Sequence, residues 1–136
     1  MTDRAELSPA ARRTGWILTG LAALFLAMDT AIKLAALPQV TETLVQLGWP
    51  SDAGTARGLG VLLAVCLALY LVPRTSVLGA VLLTAYLGGA VATHVRIASP
   101  LFSHVLFGVY VGLVVWGGLW LRDARLRALF PLRSSH

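Results

Sequence analysis

In the stretch LFLAMDTAIKLAALP, Asp29 and Lys33 interrupt a run that is otherwise apolar. A spacing of four puts both on one helix face with the acid on the N-terminal side, the orientation in which the pair attract each other. Each charge at the centre of a membrane helix costs about 2.5–3.5 kcal/mol on insertion scales, so the two need partners, water or a role. Lys33 can extend its ammonium outward along its own stem, whereas the shorter Asp29 cannot and needs a neighbour. Further polar groups gather at the same level. Tyr86, Ala90 and His94 form a stripe at four-residue spacing, with Thr93 beside it and Arg96 at its end. His104 opens the last apolar run, Arg57 opens the second, and Glu42 lies in the connection above. Lys33 and Arg96 would receive an anionic or carbonyl-bearing head group. Asp29 and His94 would relay protons or accept hydrogen bonds, which is also general acid–base chemistry. Asp29, Lys33, Tyr86, His94 and Arg96 are the principal candidates; Glu42, Arg57, Thr93 and His104 are secondary. The bland alternative is a structural ion pair of Asp29 with Lys33 or Arg96 that fixes helix rotation. Two histidines without an acidic cluster make no metal centre, and the single Cys66 offers neither a disulfide nor a thiolate site, so no intrinsic cofactor is expected.

The elements that position these groups follow from composition. The chain is 57% hydrophobic and 12% charged, with a mean hydropathy of +0.79, which belongs in a bilayer and not in a soluble domain. Apolar runs at about 15–36, 55–72, 76–97 and 103–121 each approach the ~20 residues that a helix needs to cross ~30 Å of hydrocarbon. They are continuous and lack the alternation of barrel strands. The expected fold is therefore all-α: one integral membrane domain over 1–136, a four-helix up-down-up-down bundle with tails at 1–14 and 122–136. The turn at Pro73 to Thr75 is so short that the second and third spans must be antiparallel neighbours.

The first connection, LPQVTETLVQLGWPSDAGTAR, is the longest. Val40, Leu44, Leu47 and Trp49 recur there opposite Thr41, Glu42 and Gln46, predicting a short amphipathic helix that anchors at the surface or folds over the bundle. Small residues at Gly54 and Gly58, and at Gly108 and Gly112, have the spacing of close helix approach, with Gly88, Gly89, Gly117 and Gly118 as further thin points. They are read as packing within the chain, with a homo-oligomer interface as the minor alternative. At the opposite end of the spans only Trp16, Trp116 and Trp120 stand out.

The net charge of +5 is distributed as a topology signal. Arg4, Arg12 and Arg13 precede the first span, Arg74 sits in the second turn, and Arg122, Arg125, Arg127 and Arg133 follow the last. The positive-inside rule places both termini and that turn in the cytoplasm, and it removes nucleic acid as the reason for the charge. The apolar run after Arg13 continues through Lys33 to Leu37 with no small-residue cleavage site before polar sequence, so it is expected to be a retained span and not a signal peptide.

The runs MDTAIKL, PRTSVLGAVLLTAYLGGAVATHVR and WGGLWLRDARLRALFPLR resemble the DoxX-like family of small four-helix bacterial membrane proteins, from about Trp16 to Arg133. The resemblance implies a bacterial cytoplasmic (inner) membrane location. It is similar to the small membrane subunit of an archaeal thiosulfate:quinone oxidoreductase, and other relatives accompany redox systems or assist assembly of membrane proteins. It therefore implies a redox partner subunit and a quinone or lipid-like ligand as candidate partners beside the bilayer. This chain adds no paired cysteines or haem-ligand spacing for carrying electrons itself. The leading expectation is an accessory or ligand-binding component rather than a stand-alone enzyme. An intramembrane isomerase or reductase of a lipid-like substrate, with Asp29 and His94 as acid and base, and an assembly factor or chaperone are the rivals. Four spans without an inverted repeat argue against a transporter.

Overall fold

The computed structural model describes residues 6–133; Arg4 and residues 134–136 of the expected tails lie outside them. Six α-helices follow in order: α1 Pro9–Leu34, α2 Pro38–Gln46, α3 Ala53–Leu71, α4 Ser76–Arg96, α5 Phe107–Arg122 and α6 Ala124–Leu129, with a π-helical turn at Leu101–Val105 before α5. No strand occurs among the described residues. Four helical stretches, Pro9–Leu34, Ala53–Leu71, Ser76–Arg96 and Leu101–Arg122, are long and apolar enough to cross a membrane. The molecule is an all-α, multi-pass membrane bundle. Its spanning helices form a ring in which α1 packs on α3, α3 on α4, α4 on α5 and α5 back on α1, each against an antiparallel neighbour.

The span limits differ from the hydropathy reading at both ends. Helix α1 begins at Pro9 and not near Gly15, because the Ser8 hydroxyl accepts the Ala11 N–H at 3.1 Å and Pro9 supplies a first-turn residue that needs no N–H. The arginines that end the apolar run do not end the helix. The C-terminal segment is likewise more than a tail. Asp123 caps α6 by accepting the Arg125 and Leu126 N–H groups, and α6 folds under the bundle with Leu126 in the core. Arg127 Nε donates to the Trp120 carbonyl at 2.8 Å, and Phe130 stacks on Trp116 at 5.0 Å.

At the end of the ring that carries α2, the chain reverses three times by one device. Ala36, Gly48 and Ala98 take left-handed φ of 50°, 82° and 53° just past helix ends. The next residue in each case, Leu37, Trp49 or Ser99, returns its N–H to a carbonyl in the last helical turn, and a proline follows. This is the Schellman closure, with the following proline preventing continuation. Glycine holds this backbone freely, while each alanine costs roughly 1 kcal/mol relative to it.

Burying leucine against leucine drives little association in lipid, so close approach and interhelical hydrogen bonds matter more. A Cβ on Gly15 would lie 2.8 Å from the Gly118 carbonyl, and one on Gly118 would lie 2.7 Å from the Thr19 hydroxyl. These glycines let α1 and α5 cross almost in backbone contact. Gly79 does the same for the α3–α4 pair, against the backbone of Tyr70 beside the short turn. The expected Gly54/Gly58 contact is absent: a Cβ on Gly58 would meet nothing within 4 Å, and Gly54 faces only Asp52. Gly108 does pack tightly, with Val91 and the Leu87 carbonyl at its Cβ position, whereas Gly88 and Gly89 face open space.

The half of the bundle nearest the termini is not featureless. Tyr70 is fully buried and donates to the Val115 carbonyl at 2.8 Å, with the Thr19 hydroxyl 3.4 Å away. Arg122 Nε donates to Thr19 at 3.1 Å and its guanidinium lies 4.3 Å from the centre of the Trp16 ring. Three elements, α1, α3 and α5, are pinned there by polar groups that an apolar-run reading passes over.

Candidate functional site

Between the four spans at the α2 end lies a cleft of about 670 Å³. Helix α1 contributes the stripe Phe25, Asp29 and Lys33, placed together by its period of nearly four. Lys33 donates to the Asp29 carboxylate, closing the ion pair expected from their spacing, and the two side chains are 16% and 23% exposed respectively. Helix α4 contributes Tyr86, Ala90, Thr93 and His94 from the predicted stripe. The π-helical turn and α5 supply His104, Phe107 and Gly108, and Phe107 meets Phe25 edge-on at 5.2 Å to join the α1 and α5 walls.

The two histidines are oriented by the loop between their elements. The left-handed closure at Ala98 brings the Ser99 hydroxyl 3.0 Å from His94 Nδ1. The wider π-helical turn sets Ser103 2.7 Å from His104 Nδ1. The rings meet at 5.8 Å and 63°. Among the described residues neither ring makes a further side-chain hydrogen bond, so each offers its second nitrogen to a ligand. The Tyr86 hydroxyl is likewise without a hydrogen bond among the described residues.

Helix α2 roofs the cleft. Val40 and Leu44 bury against Ala56, Ile32, Ala36 and Leu59, as the amphipathic pattern required, and Leu47 lies half-buried beside them. Its polar residues are divided: Gln39 and Thr43 line the cleft, while Glu42 faces the outer surface.

The seven ionisable groups read from the sequence as converging here therefore separate. Asp29, Lys33, His94 and His104 line the cleft. Arg96, a principal candidate, does not: its guanidinium donates to the Leu47 carbonyl and straps the end of α2 to α4. Arg57 donates to the Leu34 carbonyl at 3.2 Å and ties α3 to the end of α1. Both arginines satisfy carbonyls at helix C-termini, where a cation is also favoured by the helix dipole. Phe25, Gln39, Thr43 and Phe107 belong to the lining and were not singled out from the sequence, and Trp49, read there only as part of an amphipathic face, lines it too. Gln39 and Thr43 were legible in principle, since they share the buried side of an amphipathic helix with Val40 and Leu44. No group of three or more metal-ligating side chains occurs among the described residues.

Chemically, the cleft has a polar upper part and an apolar floor of Leu26, Leu87 and Val111. Among the described residues Lys33 is the one lysine or arginine in the lining, and its charge is answered by Asp29. The site can thus offer hydrogen bonds from Lys33, Tyr86 and the histidines, with the Thr93 hydroxyl, which donates to the Gly89 carbonyl, left as an acceptor, and without a net charge to neutralise an anion.

Residues 17–118 match the model of the DoxX-like family. Neither the curated proteins nor the solved structures include a match to this chain.

Proposed function

The chain belongs to the DoxX-like family, and from that premise we propose that this multi-pass membrane protein binds a small amphiphile, its head group held by Asp29, Lys33, Tyr86 and His94. The observation that carries the reading is the cleft itself, within the ~300–1,000 Å³ typical of ligand sites and polar at one end. The near-neutral lining favours an uncharged, hydrogen-bonding head such as a quinone or ester carbonyl over a phosphate. This narrows the anionic-or-carbonyl expectation, because Arg96 is engaged by α2.

A quinone meets these requirements, and through it the protein would serve as an accessory component of a membrane redox system. The proposed setting is the bacterial cytoplasmic membrane with the cleft on the non-cytoplasmic side. The basic residues Arg12, Arg13, Arg74, Arg122, Arg125, Arg127 and Arg133 at the opposite end support that orientation.

Native mass spectrometry of protein extracted in mild detergent from its own membrane tests the reading. A small molecule bound to the wild-type chain and lost from Asp29→Asn and His94→Ala is the expected result. Equal occupancy in properly folded variants would remove the basis of the proposal, and a co-purifying polypeptide would identify the partner component.

A further inference from the structure

The bundle is closed unevenly. Near the termini, α3 and α4 meet in backbone contact at Tyr70 and Gly79, held by the short turn between them. Toward α2 both helices line the cleft. Leu62 on α3 and Ala85 and Gly89 on α4 all line the cleft and all three are exposed, Leu62 at 51%, while Ala85 and Gly89, each two residues from the buried Leu87, lie roughly opposite it around α4. A Cβ on Gly89 would meet nothing within 4 Å. The cleft therefore has a side window flanked by these three residues.

Its depth decides what can pass. At 1.5 Å per residue, Gly89 lies ~10 Å inside the Arg96 end of α4, Ala85 ~16 Å inside, and Leu62 ~13 Å inside the Ala53 end of α3. With the helix ends at the edge of a hydrocarbon layer of ~30 Å, these positions run from about two-thirds down one leaflet to the bilayer midplane, where acyl chains stand and water does not. The charged lining and His94 lie above the window: Asp29 is ~7 Å from the Leu34 end of α1, and Lys33 and His94 lie within a turn of their helix ends, while Tyr86, ~15 Å inside the Arg96 end, stands at the level of the window. Head-group hydrogen bonding near the surface and an apolar opening beneath it repeat the orientation of a lipid in that leaflet. The roof offers a poorer route, since α2 is seated by Val40 and Leu44 and strapped by Arg96.

We propose that the ligand is a single-tailed amphiphile dissolved in the bilayer, which enters sideways between α3 and α4 with its carbonyl-type head already pointing toward α2. This rests on the binding role assigned to the cleft and adds the route and the requirement for a tail. The ligand slides in without inverting and without α2 lifting.

The test uses the full chain in lipid nanodiscs. The probes are decyl-substituted benzoquinone and nitroxide-labelled stearic acid, with tail-less benzoquinone as the water-soluble counterpart. All three quench tryptophan. Trp49 lines the cleft, and the part of the quenching lost in Trp49→Phe reports occupancy. Gly89→Phe fills the window from a position with free space. Gly88→Phe, equally free but outside the lining, is the folding control. The expected result is saturable quenching by a tailed probe, with association or affinity reduced about tenfold or more in Gly89→Phe and unchanged in Gly88→Phe and Arg96→Ala. Saturation by the decyl benzoquinone supports the carbonyl-type head, and saturation by the labelled stearate alone overturns it. Equal saturation by tail-less benzoquinone, or binding that ignores Gly89→Phe and quickens in Arg96→Ala, overturns the side route and leaves the binding role standing. Failure of every probe to saturate the wild type overturns both.

Discussion

Removing one member of the Asp29–Lys33 pair should have unequal consequences. Fully exposed ion pairs contribute about 0.2–1 kcal/mol, whereas stranding one charge of a fully buried pair costs about 3–5 kcal/mol. Side-chain exposures of 16% for Lys33 and 23% for Asp29 put this pair between those limits. In Asp29→Asn the remaining ammonium sits within a turn of the Leu34 end of α1 and can swing toward water on its flexible stem. That variant should lose about 1 kcal/mol. In Lys33→Met the carboxylate left behind is a turn deeper, short and unable to follow, so the loss should reach about 2–3 kcal/mol. The double variant leaves no charge to strand and should lose no more than about 1 kcal/mol, a coupling of roughly 2–4 kcal/mol. Equilibrium unfolding in mixed detergent micelles, followed by helical circular dichroism, reads all four corners of the cycle. Coupling below about 0.5 kcal/mol would mean that the cleft screens the pair as water does. A costlier Asp29→Asn than Lys33→Met would refute the argument from depth.

Further outcomes follow from contacts elsewhere in the chain. Gly118→Ala forces a methyl against Thr19 and the Gly15 carbonyl and should destabilise the α1–α5 crossing by about 1–3 kcal/mol, measured by the same unfolding assay. Arg96→Ala releases the end of α2 from α4, so amide exchange across Pro38–Gln46 should quicken while the spanning helices keep their protection. The Thr55 hydroxyl and N–H, each 2.8 Å from the Asp52 carboxylate, hold its pKa below the ordinary 3.8. A carboxyl depressed in the folded state stabilises above that range and ceases to do so as pH falls through the depressed value. Exchange at the first turn of α3 should accordingly rise on acidification below 3.8, and Asp52→Ala should show that faster exchange at every pH.

Much of the architecture is written in short-range pattern. Four apolar runs of membrane length and a three-residue turn leave little choice but a ring of antiparallel neighbours, because a bilayer forces each run to satisfy its backbone as a helix. The amphipathic pattern of Val40 and Leu44 gave α2 for the same local reason, and the spacing of Asp29 and Lys33 gave the ion pair. Where a polar cap decided, hydropathy misled: Ser8 and Pro9 start α1 before the apolar run, and Asp123 turns a basic tail into a docked helix.

The site divides along the same line. That Asp29, Lys33, Tyr86 and His94 fall in the same half of the bundle follows from rise per residue, which the sequence carries. Which cations enter the cleft depends on where the ends of other helices fall. Arg96 and Arg57 have long side chains whose partners are main-chain carbonyls at Leu47 and Leu34, far away in the chain and invisible to residue type. The same holds for Gly15 with Gly118 and for Tyr70 with Val115 and Thr19. The sequence by itself determined the number of spans, their alternation and the depth of each polar group, because these depend on helical rise and lipid thickness alone. The tertiary structure decided that the cleft is near-neutral, roofed by α2 and open to the side, because those properties arise from the distances between helices.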